Sequence, residues 1–291
     1  MSRLAPRDGN FRSLQDFRRA VLMQHAELPC SAMEVGSFLA PTLFAGEAEL
    51  HSLDFYSTSE LQEQARNLGR DPAQVANVDY VCKSERYDEV IGRTFDLIIA
   101  NHVAEHVKGF VAWLQMLRRL LNEGGLLFLV LPDKRYSFDR FRPDTPLSHL
   151  LYEYLSPESG GEALHSLETA MYYDMGYIGG RNVPRERFDL DVLRGALKGW
   201  HPGVHCHVFQ CESAVGEVIG PLCAMNLIDF DLVDAVMSYQ LGEFAVVLRA
   251  GRQATTWDRV SSPYSIARDT AKSGWVRRVR ARALRFLSAL R

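Results

Sequence analysis

FDLIIANHVAEHV, residues 95–107, is the stretch that decides the fold. FDLIIA reads as a strand covered on both faces, because its apolar run is nearly continuous rather than alternating. A helical period follows over 105–121, with Val107, Phe110, Val111, Leu114, Leu117 and Leu121 on one face. Asn122-Glu123-Gly124-Gly125 stops that helix, and a glycine there suits a left-handed C-cap. LLFLVLP, 126–132, is then a second buried strand ending at Pro132.

The same alternation extends outward. Upstream, SLQDFRRAVLMQHAE (13–27) predicts a helix with Leu14, Phe17, Val21 and His25 on one side, ended by Pro29. Residues 32–35, 48–54 and 78–81 predict short strands. Between the last two, 58–68 predicts a helix capped by Thr58 or Ser59 and closed by Gly69. Downstream, 133–204 breaks the rhythm with aromatics, glycines and prolines. A helix over 211–226 and an antiparallel pair, 227–240 and 243–250 around Gly242, close the pattern. The expected fold is α/β: a Rossmann-like doubly wound sheet, mostly parallel, with an antiparallel C-terminal strand pair. An N-terminal helical segment (1–30) precedes the domain (31–250), which carries the insertion 133–204. A polar linker and a basic amphipathic helix (251–291) follow.

Composition narrows the function classes. A net charge of -3 gives no overall pull toward nucleic acid. Five scattered cysteines with no C-x-x-C pair fit a reducing compartment. No apolar run approaches the ~20 residues of a membrane span, and 1–20 has no apolar signal core. The expectation is a cytoplasmic protein.

MEVGSFLAP, 33–41, occupies the place of a phosphate-binding loop but supplies one glycine, Gly36. Phe38 and Leu39 stand where small residues are wanted, and Pro41 lacks an N–H. A dinucleotide's pyrophosphate is poorly served by such a loop. A nucleoside cofactor without phosphates needs less: one close backbone approach, an apolar cleft and an acid on the ribose. Asp54 stands at the end of the second strand, where that acid belongs. It could equally be a turn or cap aspartate.

Phe95-Asp96, the Glu105-His106 pair, Gly124-Gly125 and the strand ending in Pro132 together resemble the class I S-adenosylmethionine-dependent methyltransferases. The resemblance covers about 32–132 and more loosely 205–250, where HCHVFQCESAVGEVI (205–219) is similar to their His-x-His-x-Phe segment. MEVGSFLAP and PDKRYSFDRFRP (132–143) look most like methyltransferase-domain proteins associated with bacterial cell-surface polysaccharide biosynthesis. The resemblance implies that Glu34, Gly36 and Ser37 form the first cofactor motif, with Glu34 near the methionine amino end. It implies that Asp54 holds the ribose, and that Asn101 and His102 line the cofactor and face its methyl group. Val81, Cys82 and Lys83 occupy the adenine side without the usual acid.

A hydroxyl acceptor benefits from a base, and His102 is the first candidate. His205, His207 and Asp133 are weaker ones, and His102 could instead be a structural histidine. Glu105 is expected to favour the positive end of the 105–121 helix, with His106 capping or packing there. His201, His205, His207 and Cys211 match no familiar zinc spacing, so no metal is expected. In the insertion, Lys134, Arg135, Tyr136, His205 and His207 are candidate acceptor contacts. Arg140 and Arg142 add cations for an anionic group, and aromatics such as Tyr152, Tyr173, Tyr177, Phe188 and Trp200 suit sugar faces. Equally, the aromatics could form a satellite core and the cations pair with Asp133, Asp139 and Asp144. The helix 275–291 carries six arginines opposite an apolar stripe. It fits peripheral contact with an inner-membrane surface or a partner protein, or packing on the acidic domain itself. The reading is methyl transfer from S-adenosylmethionine to a small or glycan-type acceptor, most naturally on oxygen. A non-catalytic binding or scaffold protein of a glycan assembly complex is the alternative. A lipid or quinone-type acceptor is a third possibility.

Overall fold

The structure is a computed structural model and describes residues 11–159, 161–172, 190–198 and 204–251. The basic stretch 275–291, along with Tyr173, Tyr177, Phe188, Trp200 and His201, lies outside the described residues.

A seven-stranded sheet organises the described chain. Its strands are β1 (Ser31–Val35), β2 (Glu49–Asp54), β3 (Tyr80–Val81), β4 (Phe95–Asn101), β5 (Leu121–Pro132), β6 (Phe230–Ser238) and β7 (Glu243–Ala250). Their order is β3-β2-β1-β4-β5-β7-β6. Strands β1 to β5 pair in parallel, and β7 runs antiparallel to both β5 and β6. The order reverses between β1 and β4, which opens a crevice at their carboxyl ends.

The apolar runs arise because both faces are covered. Ile98, Ala100, Leu127 and Leu129 point into one core. Leu97, Ile99, Phe128 and Val130 point into the other. Helix α1 (Leu14–Leu22), capped by Ser13, buries Phe17, Val21 and Leu22 in the second core. The N-terminal helical segment therefore belongs to the sheet's own packing. Helix α2 (Thr58–Asn67) is capped by Ser57, neither Thr58 nor Ser59. The Ser57 hydroxyl accepts from the Glu60 N–H, and the Glu60 carboxylate accepts from the Ser57 N–H in return.

Helix α3 (Phe110–Leu120) is shorter than its sequence period implies. Ala104–His106 form a separate 3-10 turn and Gly109 caps α3. Glu105 is therefore not in α3's first turn. Gly124 (φ 77°) is not the helix cap either. It sits in an irregularity of β5, where the register jumps from the Phe95↔Leu121 pair to Leu97↔Leu126.

Among its described residues the insertion carries three α-helices, α4 (Leu147–Leu155), α5 (Gly161–Tyr172) and α6 (Leu190–Ala196). It returns through 205–209, held by a Lys134 N–H to Phe209 carbonyl bond at 3.0 Å and a His207 N–H to Glu105 carbonyl bond at 3.1 Å. A helical run follows: α7 (Cys211–Ser213), a π segment (Ala214–Ile219) and α8 (Gly220–Ala224). No helix among the described residues is long and apolar enough to cross a membrane.

Candidate active site

A cavity of about 940 Å³ opens at the carboxyl ends of β1, β2 and β4. Gly36 ends β1 with φ 66°, and its N–H donates to the Leu53 carbonyl at 2.9 Å. A Cβ there would stand 3.1 Å from Val103 Cγ2. Only glycine meets the φ and the space together. Asp54, at the end of β2, accepts from the Tyr56 N–H at 2.9 Å, and burial raises its pKa. Phe55 and Tyr56 continue the wall, with the Lys83 ammonium 4.9 Å from the first ring's centroid and 5.0 Å from the second's. An acid does reach the β3 side. Glu85 lines the cavity, but its oxygens accept from the Lys108 and Gly109 N–H groups at the start of α3.

His102 follows β4 in the left-handed region (φ 53°), a strained position for a non-glycine residue. Two carboxylates hold its ring. Nε2 lies 2.8 Å from Glu243 and Nδ1 lies 3.3 Å from Glu105. Glu243 also receives a bidentate bond from Arg18, at 3.1 and 2.7 Å. Burial acts to lower the His102 pKa, but the two carboxylates outweigh it and raise it to about 9. Burial acts to raise the pKa of Glu105, and the nearby imidazoles, His102 first, bring it down to about 2. The two carboxylates therefore favour the imidazolium form of His102, which has no lone pair with which to take a proton. Its place at the cavity agrees with the sequence reading, while its two carboxylate partners disfavour the role of base. His106, four residues on, also lines the cavity. Burial lowers its pKa, which favours the neutral ring. Its Nδ1 lies 3.1 Å from the Val204 carbonyl, which makes Nδ1 the protonated nitrogen and leaves the lone pair on Nε2.

Residues 36–174 match the model of a family described as a methyltransferase domain. The chain carries a methyltransferase domain. Similar solved structures include an S-adenosylmethionine-dependent methyltransferase from Clostridium acetobutylicum, at 9% identity over 84% of this chain and 94% of that one, TM-score 0.45. Another is the 1,6-didemethyltoxoflavin-N1-methyltransferase of Burkholderia thailandensis, with bound 1,6-didemethyltoxoflavin and S-adenosylhomocysteine. It is 15% identical over 82% of this chain and 78% of that one, TM-score 0.43. A third is an S-adenosylmethionine-dependent methyltransferase from Aquifex aeolicus, 12% identical over 80% and 89%, TM-score 0.40. No curated protein matches the chain.

In this methyltransferase domain the sequence-derived site residues separate into groups. Gly36, Asp54 and His102 meet at the cavity. Glu34 and Asn101 do not line it. Glu34 is buried and accepts from the Thr42 and Leu43 N–H groups at 2.7 and 3.4 Å. Asn101 donates to Glu34 at 3.2 Å and to Thr42 Oγ1 at 2.7 Å. They pin the loop after β1, and buried Ser37 accepts from the Ala40 N–H at 2.8 Å within it.

The acceptor-side candidates are mostly engaged elsewhere. Lys134 donates to the Arg142 carbonyl and pairs with Asp144 at 3.2 Å. Arg135 makes a bidentate pair with Asp133, at 2.8 and 2.7 Å. Arg142 is fully buried against Asp139, Glu168 and the carbonyls of His205 and Cys206. His205 Nδ1 lies 2.5 Å from Asp139, and its ring packs edge-on to His106. His207 is buried between Phe110 and Phe209. Neither His207 nor the paired cations Lys134, Arg135 and Arg142 line this cavity. Tyr136 stays exposed, as do Phe141 and Tyr152. Sequence reasoning missed His106. Its signal was its place five residues beyond the end of β4.

Proposed function

We propose that this chain transfers a methyl group from S-adenosylmethionine to an oxygen of a small or glycan-type acceptor, in the biosynthesis of a cell-surface polysaccharide or glycolipid. The observation that carries the reading is the cavity at the sheet's switch point, inside the matched stretch, with Gly36 at its base and Asp54 at its side. The cofactor fits these residues. Gly36, with no side chain, lets a ligand come close to the backbone at the end of β1. The Asp54 carboxylate suits two ribose hydroxyls, and Leu53, Val103 and Val107 offer adenine an apolar wall. S-adenosylmethionine, when bound, supplies a methyl group on a good leaving group, so the protein must mainly align the acceptor and exclude water. His106 Nε2 takes the acceptor's hydroxyl proton, while the Val204 carbonyl holds the tautomer. His102, charged, ties the end of β4 to Glu243 on β7. Exposed Tyr136, Phe141 and Tyr152 on the insertion support a sugar-like acceptor.

Calorimetric titration of the full chain with S-adenosylmethionine and S-adenosylhomocysteine tests the cofactor claim. Saturable micromolar binding is expected, weakened about 10- to 100-fold by Asp54→Ala as a charge-assisted hydrogen-bond pair is lost. Folded protein that binds neither ligand at millimolar concentration would sink the reading and favour a binding or scaffold role. A panel of hydroxylated acceptors then tests the class, and a pH–rate profile whose acid limb vanishes in His106→Gln tests the base.

A further inference from the structure

We infer that the methyltransferase domain holds a buried divalent transition metal, with zinc as first choice, at His149, Glu153, His165 and His207. The four come from three separate parts of the chain. His149 and Glu153 are one turn apart on α4 and so share a face. His165 projects from α5, and His207 lies in the returning segment 205–209. One donor atom from each lies within 4.8 Å of every other.

The geometry is that of a ligand shell. The Nε2 atoms of His149 and His165 lie 3.1 and 2.7 Å from Glu153 Oε1, and His207 Nε2 lies 3.4 Å from Glu153 Oε2. Ligand atoms around a tetrahedral ion with bonds of about 2.0–2.1 Å sit roughly 3.3 Å apart. The imidazole centroids of such a shell lie about 5 Å apart by the same geometry. The three rings here are separated by 5.1, 5.6 and 5.1 Å.

Hydrogen bonding accounts for only part of the cluster: His149 Nε2 lies 3.1 Å from Glu153 Oε1, and His207 Nε2 lies 3.4 Å from the Lys108 carbonyl. His165 is fully buried, and neither of its nitrogens has a hydrogen-bond partner although Nε2 lies 2.7 Å from Glu153 Oε1. Glu153 Oε2 and His207 Nδ1 are also without partners. Unpaired buried polar atoms each cost about 1–3 kcal/mol, and a partner that engages one His165 nitrogen and Glu153 Oε2 removes part of that cost. An ion that accepts lone pairs from all four residues is such a partner, and imidazole with carboxylate suits zinc and its neighbours. With four protein ligands the site is closed, so the metal is structural. It would clamp α4 and α5 onto the segment beside α3.

The test uses the full chain, purified without added metal, then stripped with a chelator and titrated with Zn²⁺ or Co²⁺ alone. About one equivalent of metal is expected in the purified protein. Stripping should lower the melting temperature and Zn²⁺ should restore it. Co²⁺ should give the intense visible band of a four-coordinate site. His149→Ala and Glu153→Gln, on the less buried side, should each weaken Zn²⁺ uptake at least tenfold. Stripped wild-type protein that takes up neither ion and melts unchanged would overturn the proposal. So would uptake that survives both variants but disappears in His205→Ala, which would place the ion at the neighbouring Glu105, His106 and His205 group.

Discussion

Around Gly36 and Asp54 the chain leaves about 940 Å³ open beside a glycine whose positive φ and tight contact with Val103 disfavour a side chain. Residues 133–172 do the opposite. Lys134, Arg135 and Arg142 each meet an acid of the same segment, Asp144, Asp133 and Asp139. Both regions carry charges that a sequence would assign to ligands. The cavity keeps its polar groups beside open space, whereas the insertion uses its polar groups on itself. A charged side chain in a long connection is therefore evidence of binding only after its internal partners have been counted.

The contrast breaks first if Arg142 proves dispensable. Arg142→Met removes a fully buried guanidinium, leaves Asp139 with His205 as its remaining partner and part-exposed Glu168 without this one, and is expected to cost about 3 kcal/mol in chemical denaturation. Cofactor affinity of the remaining folded fraction should not change. Gly36→Val should behave inversely. Strain at positive φ, about 1–3 kcal/mol, adds to the clash with Val103, and S-adenosylmethionine affinity measured calorimetrically should fall at least roughly tenfold. Melting should change much less than in the arginine variant.

His102 gives a smaller effect with a defined sign. Its folded pKa of about 9 lies above the ordinary value of 6.5. Its pairing with Glu105 and Glu243 therefore stabilises fully below about pH 6.5 and is lost as pH rises through about 9. Melting temperature should decline across that window in the native chain and flatten in His102→Gln. The smallest effect is expected for Lys134→Met, under about 1 kcal/mol, with the acceptor's KM unchanged because the ammonium is already engaged with Asp144. A raised KM would return Lys134 to the acceptor site.

The sheet was legible because β1, β4 and β5 are buried on both faces and so write continuous apolar runs. The start of α3 was not, because Val107 continues the apolar phase while Ala104–His106 turn as 3-10. The positions of Gly36, Asp54 and His102 at strand ends could be read directly. The charge of His102 could not, since it depends on Glu243, which is brought alongside only by β7. The same limit hid the histidine cluster. Spacing around His207 offered Cys211 and His205, whereas folding supplies His149 and His165 from helices whose periodicity is weak.

The place of β7 has a consequence for how the protein is made. The ribosome delivers β6 before β7, yet β7 lies between β5 and β6. A growing chain that has emerged only as far as β6 leaves the flank of β5 open, with β6 waiting for a neighbour that has not yet been translated. Arg18 and His102 both wait for the same late residue, Glu243. The first helix and the end of β4 are therefore fastened by nearly the last piece of the sheet to arrive. Pulling experiments on arrested nascent chains should show the main folding force only once β7 has cleared the exit tunnel.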